Sequence, residues 1–503
     1  MQNANRTHFL LSILMIFSFL LSSCGAVEQY DKILDPVPPP PAYIFRPFDT
    51  KPYYSPAGAQ AWYIDSVNGK DSADGRSPAT AWKTLSRAHS LVLGPGQVLR
   101  LARGSVWVNE SLFFDNGSGG VAGNPAYVEA YGTGNKPLIK SPRALWNSNL
   151  EWPAISFGRN TGSTIAAKHF NILDIRVQFA KATAISMSMD SSFIIVAGCE
   201  ISQSGAGVGV AGEDQKVLGC WVHDGVMAVD TGVPDKDWGA VGVGIAGKRI
   251  EIAWNYLSDC IAESRSFGTD GSGIEFFGYD ADGLKWEYVS EDIYIHHNYI
   301  RNADCFMEAM GKVNRMVIAY NAYVESPNDA FIFHLNSMRD DIYYKNVLIA
   351  NNTLINNVPD RNGWGVFGLL VNWNKKDAVI LAQSNFVIKN NLVQTNHYAL
   401  SWINPVGNNL SHDYNHFSFI NGGAFCQNAG VWTKTANETE GVADFYDSGV
   451  SDYRLANTSP GSTGCDSITS PLFTALWDSD LSGRIISSPA FRSRGAWQAV
   501  SAP

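Results

Sequence analysis

Two short apolar runs, GIEFFG (273–278) and FMEAMG (306–311), carry Glu275 and Glu308 at the same internal place. If Ile274 and Phe276 point into a core, strand alternation turns both carboxyls outward. On adjacent parallel strands their backbones would lie about 4.8 Å apart. Carboxylates that close repel, which raises one pKa and suits an acid/base pair. His334 follows on the next such run, AFIFHL (330–335), with Lys312 and Asp329 in nearby corners. Arg265 and Asp270 lie in the segment that leads into Glu275. These residues form the candidate catalytic set, and Asp329 is also a candidate ligand for calcium. Outward glutamates can equally be a solvated face bridged by Lys312, so the weight of the reading depends on what surrounds them. His296 and His297 fall on a different strand, where at most one would face outward.

The elements that position these residues repeat along the chain. The hexapeptide IEIAWN ends at Asn255 and recurs as IYIHHN (Asn298), MVIAYN (Asn321), VLIANN (Asn352) and FVIKNN (Asn391). Each copy has Ile at its third place and an apolar residue two places after the Asn, the latter being Leu257, Ile300, Tyr323, Leu354 and Val393. Weaker copies put Cys220, Cys199 and Ile175 in the Asn position. The frame positions 175, 199, 220, 255, 298, 321, 352 and 391 step by 24, 21, 35, 43, 23, 31 and 39 residues. The short steps match one bare coil of three strands of roughly 5 residues with corners. The longer ones are the same coil with loops inserted. Repeats of this kind mean a solenoid.

Asn suits such a corner because it tolerates the left-handed conformation and its amide can bond to neighbouring backbone. In stacked coils one corner Asn can also bond to the next. Over roughly residues 60–500 this pattern resembles the right-handed parallel β-helix of the pectate-lyase-like superfamily, where an asparagine ladder marks one turn. The resemblance implies an all-β, three-sheet solenoid.

After each frame corner comes a second strand: GVGVAG (207–212), AVGVGIAG (240–247), GIEFFG, FMEAMG, AFIFHL and GVFGLL (365–370). Residues 223–239, 260–272 and 356–364 precede it as inserts, and 278–290 and 371–383 follow it. Two rows of loops beside one sheet make a groove, and loops on a rigid scaffold carry function. Trp238, Tyr279, Trp286, Trp364 and Trp373 lie in or beside these loops. Their rings suit the apolar faces of sugars, or anchor the loops themselves. The groove resembles the substrate cleft of pectate-lyase-like enzymes. That resemblance implies polysaccharide cleavage, by hydrolysis with two carboxyls or by elimination with a base and a neutralising cation. Neither the paired-Asp nor the Gly-His-Gly signature of polygalacturonases is present. A non-catalytic glycan-binding or adhesive surface protein, or a purely structural one, fits the same fold. No cofactor is required by either reaction, although calcium would serve elimination.

Net charge is 37 − 47 = −10, which opposes nucleic-acid binding in bulk. The expected partner is a polysaccharide, and the expected state a monomer. Phe9 to Leu21 form an apolar stretch too short to span a bilayer comfortably. It ends in LSSC (21–24), which resembles a bacterial lipobox. The resemblance implies lipidation of Cys24, with Gly25 permitting the outer membrane. PVPPPP (36–41) is stiff, extended chain suited to a tether. Six cysteines remain beyond Cys24, without CxxC or Cys/His metal spacing. Cys199 and Cys220 read as buried corner residues, with a disulfide as the alternative.

A solenoid needs covering at both ends. At the start, YIDSVNGKDSADGRSPATAWKTLSRAHSLV reads as strand, turn and capping helix, with Trp82, Leu85 and Val92 on one helical face. Asp71 and Asp74 mark a plain turn or, less simply, a calcium loop. SDYRLANTSP (451–460) resembles the closing segment of the superfamily. The expected organisation is a signal at 1–23, a tether at 24–60, a cap with first coils at 61–150, the groove-bearing helix at 151–420, and a last coil with an irregular cap at 421–503.

Overall fold

The computed structural model describes residues 38–114, 117–141, 153–158, 167–233, 237–276, 289–334, 343–357, 365–371, 385–402, 410–426, 433–466, 479–486 and 493–500. Its strands stack coil on coil in parallel register on three faces. The site sheet runs through Ala206–Glu213, Ser272–Phe276, Met307–Met310, Phe331–His334 and Phe367–Val371. The frame sheet carries the hexapeptides, as in Val289–His296, Lys312–Ala319 and Tyr343–Ala350. The short sheet holds the three- and four-residue strands after the ladder Asn, such as Tyr256–Ser258 and Tyr299–Arg301. One long strand, Val241–Ala253, turns the corner from site sheet to frame sheet.

The core follows from the repeat. Val217, Ile252, Ile295, Ile318, Ile349 and Ile388 are register partners in one buried row. Val222, Leu257, Ile300, Tyr323, Leu354 and Val393 form a second on the short sheet. Each such side chain removed from water contributes about 1.5–3 kcal/mol. A one-residue slip would turn a whole row outward, so the register is strongly specified.

The ladder is continuous. Asn298 Oδ1 accepts from Asn255 N (3.0 Å) and Nδ2 (2.9 Å), and the same pair of bonds repeats up to Asn415. Below, Asn255 Oδ1 takes the N–H of Cys220 at 2.8 Å. Above, Glu438 occupies the next rung and accepts from Asn415 Nδ2 at 2.8 Å. The ladder Asn itself is not the left-handed residue. That role falls one place earlier, on Trp254, His297, Tyr320, Asn351, Asn390 and Tyr414 (φ 55–60°). A left-handed residue there turns the chain, and the Asn behind it is left to aim its amide along the stack. Cys199 and Cys220 are buried free thiols in the same corner.

The expected capping helix is a six-residue 3₁₀ turn, Leu85–Ser90. Trp82 is taken by the sheet edge: its N–H donates to Tyr63 O and its carbonyl accepts from Asp65 N. Too few residues remain to nucleate an α-helix, and Val92 is exposed while Trp82 and Leu85 are buried. Asp71 accepts from Lys83 N, Thr84 N and Thr84 Oγ1, and Asp74 from Arg76 N, so both hold turns. At the other end coils continue through His416–Phe419 and Thr439–Glu440, followed by the antiparallel pair Phe445–Asp447 and Asp452–Leu455. The chain then lies along the flank. Leu481, Ala496 and Trp497 join Ile44 and Phe45 in covering Tyr256 and Tyr299 of the short sheet.

Candidate active site

Ile274 and Phe276 are buried in the main core, as are Met307 and Ala309. Strand alternation therefore turns Glu275 and Glu308 to the outer face of the site sheet. The two are direct register partners, about 4.8 Å apart along the stack. Their row reads Ser186, Gly209, Gly244, Glu275, Glu308, Ile332. Glycine on the two preceding coils leaves no side chain on the floor beside Glu275.

Asp270 reaches this row on an antiparallel hairpin, Ala262–Ser264 with Gly268–Asp270. Gly271 follows at φ 134°, where a Cβ would lie 2.6 Å from Cys260 O and 2.9 Å from Ala240 Cβ. Only glycine permits that close approach. Asp270 Oδ1 accepts from Gly271 N at 2.8 Å. Burial raises the Asp270 carboxyl, and the Glu308 charge raises it further. The Gly271 N–H opposes this, Asp304 and Asp237 add to it, and the result stands at about 8. Glu275, 8% exposed, is pushed well above the carboxylate range by burial, then by Glu308 and Asp270. Glu308 is the more open member of the stacked pair.

The remaining candidates fall in different places. Arg265 stands at the hairpin tip, exposed and paired with Asp230 (Nε to Oδ2, 3.3 Å). Lys312 heads its frame-sheet strand directly after Gly311, across the corner from Met310. His334 ends strand Phe331–His334, where its backbone pairs with Met310 and, past a register shift, with Val371. Trp238 is half-buried on a two-strand ribbon, Met227–Val229 with Trp238–Gly239, in the wall beside the hairpin. Tyr279, Trp286, Trp364 and Trp373 lie outside the described residues, as does Cys24. His296 and His297 are both buried, their Nδ1 atoms 2.8 Å apart. His296 alternates with the core residue Ile295 and lies on the outer face of the frame sheet beside Glu251, while His297 is covered by Ser479 of the flanking chain.

Asp329 is fully buried and accepts from Gly365 N at 2.5 Å, which places it in a turn and not in a groove. Among the described residues no three His, Cys, Asp or Glu side chains converge as metal ligands would. An acidic residue that the sequence did not single out is Asp237, which ties together two loops beside the site sheet. It sits in an aperiodic insert, where no repeat marks it.

No family model and no curated protein sequence matches the chain. Among solved structures, a pectate lyase is similar over 88% of this chain and 96% of its own, with 13% identity and a TM-score of 0.50. A GH136 lacto-N-biosidase from Eubacterium ramulus covers 76% and 67%, with 14% identity and a TM-score of 0.44. At such identities the likeness speaks for the fold alone. The stacked sheets and the likeness to that pectate lyase together identify this chain as a right-handed parallel β-helix.

Proposed function

We propose that this chain is a carbohydrate-active enzyme that hydrolyses a neutral polysaccharide in the groove along the site sheet. The observation that carries the reading is the register pairing of Glu275 with Glu308, joined by Asp270 on its hairpin. Hydrolysis of a glycosidic bond needs one carboxylic acid to protonate the leaving oxygen and a second carboxylate to attack or to activate water. Asp270, protonated up to about pH 8, is suited to the acid role. Glu308, the more open carboxyl of the stack, takes the role of base or nucleophile. Glu275 is enclosed, and its burial favours the protonated form, which can donate a hydrogen bond toward its partner.

Elimination on a uronate is the less supported reaction. The charges that act most strongly on Asp270 are acidic, so a substrate carboxylate would meet repulsion. Arg265, the obvious neutralising cation, is engaged with Asp230. The discriminating experiment is incubation with a panel of neutral and uronate-containing polysaccharides. New reducing ends without an absorbing unsaturated product support hydrolysis, and the unsaturated product would replace it with elimination. Binding without cleavage would make the chain a glycan-binding protein.

We also propose export and lipid anchoring at Cys24, on the LSSC motif alone, in the outer membrane of a bacterial envelope. Mass spectrometry of the mature N-terminus tests it. A chain that begins elsewhere without lipid contradicts it.

A further inference from the structure

Asp237 is a polar residue outside the proposed acid set, yet it is 7% exposed and surrounded by donors. Its Oδ1 accepts from Thr231 N (2.5 Å), Thr231 Oγ1 (2.9 Å) and Gly232 N (3.1 Å). Its Oδ2 accepts from Gly232 N and Ser266 N, each at 3.2 Å, and lies 3.5 Å from Ser264 Oγ. Thr231 and Gly232 belong to the loop of one coil, and Ser264 and Ser266 to the hairpin of the next. A second clamp runs parallel to the first: Arg265 N donates to Asp230 Oδ1 at 3.0 Å. The far end of the same hairpin is Asp270, paired with Ala262.

We propose that Asp237 is a positioning residue: it fastens the hairpin to the neighbouring loop and so sets Asp270 against the stacked glutamates. The proposal rests on Asp270 as the groove acid. A carboxylate is required because every partner is a donor, and asparagine would turn an N–H toward Gly232 and Ser266. Burial alone would raise Asp237, but the bonds from Thr231, Ser266 and Gly232 outweigh it and hold it near 2. Asp237 thus stays ionised while its charge helps Asp270 to stay protonated. Two acids driven apart by their surroundings, one fixed as an anion and one as an acid, mark a division of roles.

The test is a double-mutant cycle that needs no substrate. Thermal stability is measured from about pH 4 to about pH 9 for the wild type, Asp270→Asn, Asp237→Asn and the double variant. In the wild-type background, Asp270→Asn should stabilise progressively as pH rises. With Asp237→Asn in place, that pH-dependent gain should shrink roughly threefold, because Asp270 is no longer held against the glutamates. The lost Asp237 charge, the smallest of the acidic influences on Asp270, accounts for only a minor part. An unchanged gain overturns the proposal. Should Asp237→Asn fail to fold, hydrogen exchange in the wild type decides. The Thr231, Gly232 and Ser266 amides should exchange at least about tenfold slower than in an unstructured peptide. Unprotected amides overturn the proposal. Absence of cleavage on every polysaccharide would sink the enzymatic reading without touching this cycle.

Discussion

Glu275 and Glu308 are register partners on neighbouring parallel strands, each flanked by core residues that fix it outward. Asp270 acts on Glu275 from the hairpin side, and the strongest charge on Asp270 is Glu308. Three acids on one face repel. The coils beneath hold them together, because displacing either glutamate would mean shifting a buried row of the core.

That crowding has a stability signature. The folded Asp270 carboxyl is raised to about 8 from an ordinary 3.8. Between those values the folded chain binds the extra proton, so its stability falls as pH rises and levels off above about 8. Asp270→Asn should leave stability unchanged near pH 4 and stabilise by on the order of 3 kcal/mol at about pH 9. Denaturant midpoints at the two pH values check it. An equal effect at both would show that Asp270 titrates normally.

Buried His297 gives the opposite slope. His297 lies between Trp254 (4.2 Å) and Tyr320 (5.3 Å), and its Nε2 is 3.0 Å from Ser479 O. Burial, then the neighbouring His296, lowers its pKa well below 6.5. The unfolded chain therefore binds the proton first, and stability is lost as pH falls below about 6.5. His297→Phe keeps the stacking and cannot charge. It should flatten the acid limb of the stability curve while lowering stability at neutral pH by about 1 kcal/mol through the lost bond to Ser479. A limb as steep as in the wild type would place the acid lability elsewhere.

The ladder predicts position-dependent damage. Asn321→Ala removes the acceptor for both Asn298 N and Asn298 Nδ2 and strands buried polar groups in mid-stack. A loss on the order of 3 kcal/mol is expected in denaturant unfolding. Glu438→Gln keeps an acceptor oxygen for Asn415 at the end of the ladder, and should lose markedly less. Equal losses would mean that the ladder is not a cooperative stack.

What could be read in advance was whatever repeats. The spacing of Ile252, Ile295, Ile318, Ile349 and Ile388 gives the register, and the register brings Glu275 beside Glu308. The left-handed corner lies one residue before the Asn, at a place the sequence does not mark, since Trp254 and Tyr320 carry no hint of a positive φ in their type. Glu438 was missed as a rung because a carboxylate replaced the amide, and Asp237 because inserts have no period. The helix expected around Leu85 failed because pairing of Trp82 with the first strand outweighed a local helical pattern. The flank formed by Leu481 and Trp497 depends on contacts across hundreds of residues, which no local pattern records.

The proposed hydrolysis turns on the carboxylate of Glu308. Glu308→Gln preserves shape and hydrogen-bonding capacity but removes the carboxylate. On whichever neutral polysaccharide the wild type cleaves, kcat should fall by about a thousandfold or more, with KM and the unfolding midpoint nearly unchanged. A variant that retains wild-type kcat on that substrate would contradict the account.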